Sequence, residues 1–335
     1  MRTLALRGSV VTDHEILAEG TVLIEGATIR GVGRKRVEAD EVVEMPGSFL
    51  VPGFVDLQVN GAFGVDVVSR PESLGELSDG LLATGTTSYL PTIVTLPLDE
   101  YPSLLSGIPL DANAGAEPLG LHLEGPFISQ NKRGAHSEDA VAEPDPDALR
   151  GMLEVAPVKM VTLAPEVPGA QGLMDVAHER DAVVSLGHSE ASFEEAYAAL
   201  DAGAQSVTHL FNAMSPLHHR EPGLPGAALA HPWAVCGLVV DGRHVHPEMV
   251  RLEYVYENLM VGVQARNSKL RERAERVVRE VTGCGEQESR HALERSGNDV
   301  RLAVLLIDGA GSMEEARSRL QEARGSLRRA RGSGG

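Results

Sequence analysis

From Phe49 to Val250 the sequence repeats a single unit: a short apolar run, a turn, and a stretch of helical periodicity. Apolar runs fall at 54–59, 86–94, 119–124, 158–164, 183–186, 206–209 and 235–240. Helical patterns sit between several of them, at 72–84, 147–154, 173–180 and 192–202. The last opens with Ser192-Phe193-Glu194-Glu195, a capping box. Strands alternating with helices imply parallel strands, with ligands gathering at the strand C-termini. The expected fold class is α/β, a (β/α) barrel. Only seven strands are counted where a closed barrel has eight, so the barrel is expected to be incomplete.

The flanks read differently, and three domains are expected: 1–48, 49–250 and 251–335. The first alternates and turns often, as in Leu4-Ala5-Leu6-Arg7-Gly8, and reads as short antiparallel strands in a small β-sandwich-like module. After Val250 the strand signals stop. A long helical pattern over 253–281 is followed by shorter ones around 286–295 and 299–307, and a fourth opens at Ser312-Met313-Glu314-Glu315. Charge breaks at the same place: residues 251–335 hold 16 Lys and Arg against 13 Asp and Glu, whereas residues 1–250 hold 14 against 35. The total of −18 disfavours a nucleic-acid partner, since a polyanion would be repelled. Two cysteines, Cys236 and Cys284, give neither a disulfide framework nor a cysteine-based zinc motif. No run approaches the ~18 apolar residues of a membrane span, and a cytoplasmic protein is expected, with no membrane partner.

The chemistry-bearing residues cluster at strand ends. Glu124 closes Leu119-Gly120-Leu121-His122-Leu123-Glu124, His188 follows Val183-Val184-Ser185-Leu186-Gly187, and His209 closes Ser206-Val207-Thr208-His209. One carboxylate and two imidazoles at the ends of separate parallel strands suit a divalent ion with an open position. Such a donor set suits Zn²⁺, with Fe²⁺, Co²⁺ or Mn²⁺ as alternatives. Gln58 and Asn60, two apart on the first barrel strand, point the same way. They could hold a water beside the metal or a substrate group, or simply form the turn. Arg220 and His244 suit a phosphate, although Arg220 could equally pair with its neighbour Glu221.

Taken in order, Pro52-Gly53-Phe54-Val55-Asp56, His122-Leu123-Glu124-Gly125-Pro126, Lys132-Arg133-Gly134-Ala135-His136, Gly187-His188-Ser189, Thr208-His209-Leu210-Phe211-Asn212-Ala213-Met214, Arg220-Glu221-Pro222-Gly223 and Asp241-Gly242-Arg243-His244 resemble the N-acetylglucosamine-6-phosphate deacetylases of the amidohydrolase superfamily. The resemblance runs from about residue 1 to 250. It implies that Glu124, His188 and His209 are metal ligands. It implies that Ala135, His136, Asn212, Ala213, Arg220, Asp241, Gly242, Arg243 and His244 bind substrate, a sugar phosphate. It also implies a homodimer in which Arg220 reaches the neighbouring subunit's site. Two-metal members carry a His-x-His pair where this chain has Gln58 and Asn60, which implies a single ion here.

The activity so implied is hydrolysis of N-acetylglucosamine 6-phosphate to glucosamine 6-phosphate and acetate. In the family an Asp at the end of the eighth strand moves the proton. This chain has no Asp between Asp241 and Asp299, so the catalytic acid is unknown, and Asp308 is the only substitute considered. The alternative is a non-catalytic binder of metal and sugar phosphate, or an inactive fusion. The fusion idea arises because 255–265 and 267–274 resemble the C-terminal part of the N-acetylmuramic acid 6-phosphate etherases, a likeness continuing to about residue 330 without their catalytic domain.

Overall fold

The computed structural model describes residues 2–12, 15–111, 115–251, 275, 278–279, 281–297, 299–322 and 330–331. They fall in two compact units, Met1–Val245 and His246–Gly335. No helix among the described residues is long and apolar enough to cross a membrane.

The first unit opens with β1 (Thr3–Val11), β2 (Ile16–Glu25), β3 (Thr28–Gly33) and β4 (Glu41–Leu50), in one sheet of order β3-β2-β1-β4. β1 runs antiparallel to β2 but parallel to β4. The module is therefore a mixed single sheet, not the antiparallel sandwich expected. Alternating residues mark a strand without fixing its neighbour, and the chain between β3 and β4 carries β4 to the far edge.

The second sheet contains β5 (Phe54–Val59), β8 (Thr86–Val94), β10 (Leu121–Glu124), β11 (Val158–Leu163), β12 (Val183–Leu186), β13 (Ser206–Val207) and β14 (Val235–Cys236). Between them lie the short pair β6 (Gly61–Ala62) and β7 (Val65–Asp66), and β9 (Glu117–Pro118), which pairs with β8. The order is β14-β13-β12-β11-β10-β8-β5, and every pairing is parallel. β10 is buried along its whole length, and Leu121, Leu123, Val161, Leu163, Val184, Leu186 and Val207 are fully enclosed. Parallel strands buried on both faces need such continuous aliphatic runs, since helices cover one face and the barrel interior the other.

Six helices connect the strands: α1 (Leu74–Leu82), α2 (Tyr101–Gly107), α3 (Pro146–Val155), α4 (Ala170–Glu179), α5 (Phe193–Asp201) and α6 (Gly223–Ala230). Ser192 and Glu195 form the expected capping box on α5, and Asp145 caps α3 ahead of Pro146. The sequence pattern did not signal α2 and α6. α2 has seven residues, and α6 reads Gly-Leu-Pro-Gly-Ala-Ala-Leu-Ala, which looks like a loop. Burial of Leu224, Pro225, Ala227 and Ala228 holds α6 helical against that composition.

Among the described residues the barrel does not close. β5 and β14 end the sheet, and among the described residues no strand pairs with their outer edges. Phe54, Val55 and Val235 are consequently 61%, 54% and 57% exposed. Between the edges lies a cavity of 1080 Å³ lined by Gln58, His122, Met160, Ser185, Thr208, His209 and Asp241 among others.

In the second unit, α7 (Glu286–Arg295), α8 (Val300–Ile307) and α9 (Met313–Glu322) follow one another. Asp299 caps α8, and Ser312 Oγ accepts from Glu315 N at 3.0 Å. Most of the helix expected over 253–281 lies outside the described residues, although 275, 278–279 and 281–282 are helical. Val278 packs with Ala292, Leu293, Ala303 and Val304 in a small core of its own.

Candidate metal centre

Glu124 is the last residue of β10. His188 stands two residues past β12, and His209 two past β13, which ends earlier than the sequence pattern suggested. Both histidines are left-handed, with φ of 48° and 34°. Such a backbone costs a non-glycine residue about 1–3 kcal/mol and persists only where the surroundings over-determine it. For His188 they do. Its carbonyl accepts from Ser129 N at 2.9 Å, Ser189 N donates to Ala213 O at 3.2 Å, and the Glu166 carboxylate accepts from Ser189 Oγ at 2.8 Å and Glu190 N at 2.5 Å. For His209, Asn212 donates its backbone N to the His209 carbonyl at 2.9 Å and its side-chain amide at 3.3 Å, while Leu210 N donates to Gly237 O.

Three ligand atoms converge. Glu124 Oε1 lies 3.2 Å from His188 Nε2 and 3.1 Å from His209 Nε2, and the two nitrogens are 2.9 Å apart. A tetrahedral ion with bonds of 2.0–2.1 Å sets its ligands about 3.3 Å apart, so this triangle fits one ion. The tautomer argues the same way. His188 Nδ1 lies 2.9 Å from Lys132 O, and a carbonyl can only accept, so Nδ1 carries the proton. In its neutral form, that tautomer of His188 turns the Nε2 lone pair towards a carboxylate oxygen, an arrangement that a cation between them would satisfy. The residues fit a divalent metal. His209 departs from the usual pattern, because among the described residues its buried Nδ1 has no hydrogen-bond partner that would fix its tautomer.

Glu124 is fixed on both oxygens. Gln58 Nε2 donates to Oε1 at 2.6 Å and Asn60 Nδ2 to Oε2 at 3.2 Å. The two amides share a face as the strand period requires, and they orient the carboxylate ligand itself rather than reaching only a water or substrate. Burial opposes ionisation of Glu124, but His188 and His209 beside it hold its carboxyl far below the usual range.

His136 walls the site, its ring centroid 4.4 Å from that of His188 and its Nε2 3.8 Å from Glu124 Oε2. Thr95 holds His136 Nδ1 twice, with its backbone N at 3.2 Å and its Oγ1 at 2.6 Å, and this leaves Nε2 facing the carboxylate. Burial, with His188 adding to it, pushes the His136 imidazole down to about 4. Thr95 Oγ1 also donates to the Glu124 carbonyl at 3.3 Å, and this closeness explains Gly125: at φ 87°, a Cβ there would stand 2.2 Å from Thr95 Oγ1.

The remaining expected residues divide. Gly134 approaches both His188 and Ala213, so the segments carrying Ala135–His136 and Asn212–Ala213 meet beside the ligands. The Asn212 amide is spent on the carbonyls of His209 and Leu210. Arg220 lines a different cavity of 650 Å³, with Glu190, Glu194, Glu195 and Glu221. Among the described residues no ion pair joins Arg220 to Glu221. Asp241 lines the barrel cavity, whereas Gly242, Arg243 and His244 do not. Asp241 accepts from Arg243 N at 2.8 Å and from His244 N and Nδ1 at 2.9 and 2.7 Å. The backbone N–H groups of His244 and Arg243 push its carboxyl down to about 2. Asp308 belongs to the second unit and pairs with Arg331 at 2.6 Å. Thr95 and Glu166, which the sequence reading did not select, stand just beyond the ends of β8 and β11, the same strand-end position that marked the ligands.

The amidohydrolase family model matches residues 49–328. The N-acetylglucosamine-6-phosphate deacetylase of Bos taurus is 39% identical over 277 residues, covering 75% of this chain and 68% of that protein. That of Bacillus subtilis is 34% identical over 259 residues, covering 74% and 65%. Among solved structures, a mutant of the N-acetyl-D-glucosamine-6-phosphate deacetylase of Mycobacterium smegmatis, in complex with N-acetyl-D-glucosamine-6-phosphate, superposes with a TM-score of 0.69 at 31% identity, covering 76% of this chain and 68% of that one. The Thermotoga maritima enzyme gives 0.65 at 32%, with the same coverage. This chain thus spans 68% of the length of the Bos taurus protein and 65% of the Homo sapiens one, about two thirds of each. Its parallel sheet and these likenesses agree: the chain belongs to the amidohydrolase family, among the N-acetylglucosamine-6-phosphate deacetylases.

Proposed function

We propose that this chain hydrolyses N-acetylglucosamine 6-phosphate to glucosamine 6-phosphate and acetate, with one Zn²⁺ held by Glu124, His188 and His209. The observation that carries the reading is the triangle of Glu124 Oε1, His188 Nε2 and His209 Nε2 with edges of 2.9–3.2 Å. When bound, a divalent ion there activates water and polarises the amide carbonyl. Gln58 and Asn60 keep the carboxylate turned to its partners. His136 presents Nε2 to substrate, its other nitrogen held by the Thr95 backbone N and Oγ1. Water adds to the acetyl carbon, the C–N bond breaks, and the leaving amine takes a proton. No residue is assigned as that acid, because no Asp lies between Asp241 and Asp299.

The reading extends to a homodimer in the cytoplasm, with Arg220 exposed and offered to the partner subunit's sugar phosphate. Exposure of Arg220 on a loop bordering α6 supports it.

The test is acetate release from N-acetylglucosamine 6-phosphate by the full chain loaded with Zn²⁺, beside Glu124→Ala. Missing a general acid costs about 10²–10⁴ in rate, so turnover is expected that far below a relative that covers its whole length, yet above the variant. Equal rates for the wild type and Glu124→Ala would refute the assignment.

A further inference from the structure

Strand β5 carries Gln58 and leads directly into Asn60, but is poorly anchored by its own backbone. Among the described residues it has one strand neighbour, β8, and the register between them breaks from Asp56 to Val59. Within the broken stretch Asp56 Oδ1 accepts from Gln58 N at 3.0 Å, and two side chains from other strands bond it as well. His122, 1% exposed on β10, points Nδ1 at the Leu57 carbonyl at 3.0 Å, and Val59 N donates to Thr92 Oγ1 at 3.1 Å. These bonded groups alternate with Gln58 and Asn60 along the strand.

The other side of His122 is anchored too. A carbonyl only accepts, so His122 Nδ1 carries the proton and Nε2 accepts from Thr162 Oγ1 at 2.7 Å. Thr162 Oγ1 lies 2.7 Å from Thr208 Oγ1, which lies 2.6 Å from Ser185 Oγ. The imidazole therefore joins a row of buried hydroxyls, on β11, just past β13 and on β12, to strand β5.

We propose that His122 is a positioning residue for the metal centre: by holding the Leu57 carbonyl it fixes the edge strand so that Gln58 and Asn60 meet both oxygens of Glu124. This rests on reading Glu124, His188 and His209 as a divalent-ion site. His122 touches neither ion nor substrate, and it acts through β5.

Asparagine and glutamine separate its two bonds. Asn places a donor near the position of Nδ1, keeping the Leu57 contact, whereas Gln reaches the position of Nε2 and keeps only Thr162. The experiment is Co²⁺ titration of the full chain against a competing chelator, followed by visible absorption. Outer partners of metal ligands contribute about 10–100-fold in affinity, so His122→Gln is expected to bind Co²⁺ at least ~10-fold more weakly and His122→Asn within ~3-fold of wild type. In a Gln58→Leu background, His122→Gln is expected to add less than its full effect, since both act on one carboxylate.

Wild-type affinity in His122→Gln overturns the proposal, as does an equal loss in His122→Asn. If His122→Gln does not fold, Thr92→Val takes its place, because it frees the Val59 N–H on the same strand. It is expected to weaken Co²⁺ binding while Thr92→Ser does not, and unchanged binding in Thr92→Val overturns the clamp. Glu124→Ala distinguishes the two levels. If it abolishes binding while His122→Gln does not weaken it, only the clamp is wrong; if Glu124→Ala binds normally, the metal reading falls and the clamp with it.

Discussion

Gln58 donates its side-chain amide to Glu124 Oε1 across 2.6 Å, from the open edge of the sheet to a strand two places inward. A carboxylate so held cannot rotate away from the imidazoles when no ion is bound. Gln58→Leu keeps much of the volume and removes that donor. It is expected to weaken Co²⁺ or Zn²⁺ binding about 10-fold, measured by chelator competition. Undiminished affinity would mean the amide is packing only.

The sequence marked the three candidate ligands because each stands at the end of an apolar run in a strand-helix repeat. It marked Gln58 and Asn60 as sharing a face because strand side chains have a period of two. It could not say what they face, since Glu124 is 64 and 66 residues further along and pairing across a sheet leaves no local trace. The parallel pairing of β4 escaped for the same reason, and α6 because tertiary burial overrode a Gly- and Pro-rich composition. Seven strands were legible, and the unpaired edges at β5 and β14 are their direct consequence.

Metal binding should appear as stability. An ion that binds the native state alone adds about 2.7 kcal/mol at one hundred times its dissociation constant. Urea unfolding of the full chain with and without Zn²⁺ is expected to separate by that order. Glu124→Ala, His188→Ala and His209→Ala should each abolish the shift. A shift surviving in all three would place the ion elsewhere.

The metal-free protein should lose stability as acid is added, in a defined window. Burial pushes His122 down to about 4, with Glu124 opposing, and His136 sits at about 4 as well. On unfolding, both return to an ordinary value near 6.5. Between about pH 4 and 6.5 the unfolded chain therefore binds more protons than the native one, so stability rises with pH across that window and is lost as pH falls through it. For His122 alone the change is on the order of 3 kcal/mol. Glu124, whose folded value is depressed, adds a loss of the same sign below about pH 4.5. Urea midpoints at pH 4, 5, 6 and 7 with the metal removed measure the slope, and His122→Asn should flatten it. A flat wild-type profile over this range would mean the imidazoles are not held neutral.

The open edges carry a separate expectation. A β-strand with unpaired backbone groups is a template for association, and exposed apolar side chains beside it add to the attraction. Val55 on β5 and Val235 on β14 are both more than half exposed at those edges. Lysine at either position would run its methylene stem along the apolar surface and leave the ammonium in water. Val55→Lys and Val235→Lys, singly and together, are therefore expected to lower concentration-dependent light scattering. Exposed substitutions of this kind usually alter stability by no more than about 0.5 kcal/mol, so the urea midpoint should hardly move. If scattering is unchanged in the double variant, association does not run through these edges. A large fall in stability would show instead that the two valines pack against apolar surface on unfolding's near side, as part of a closed interior.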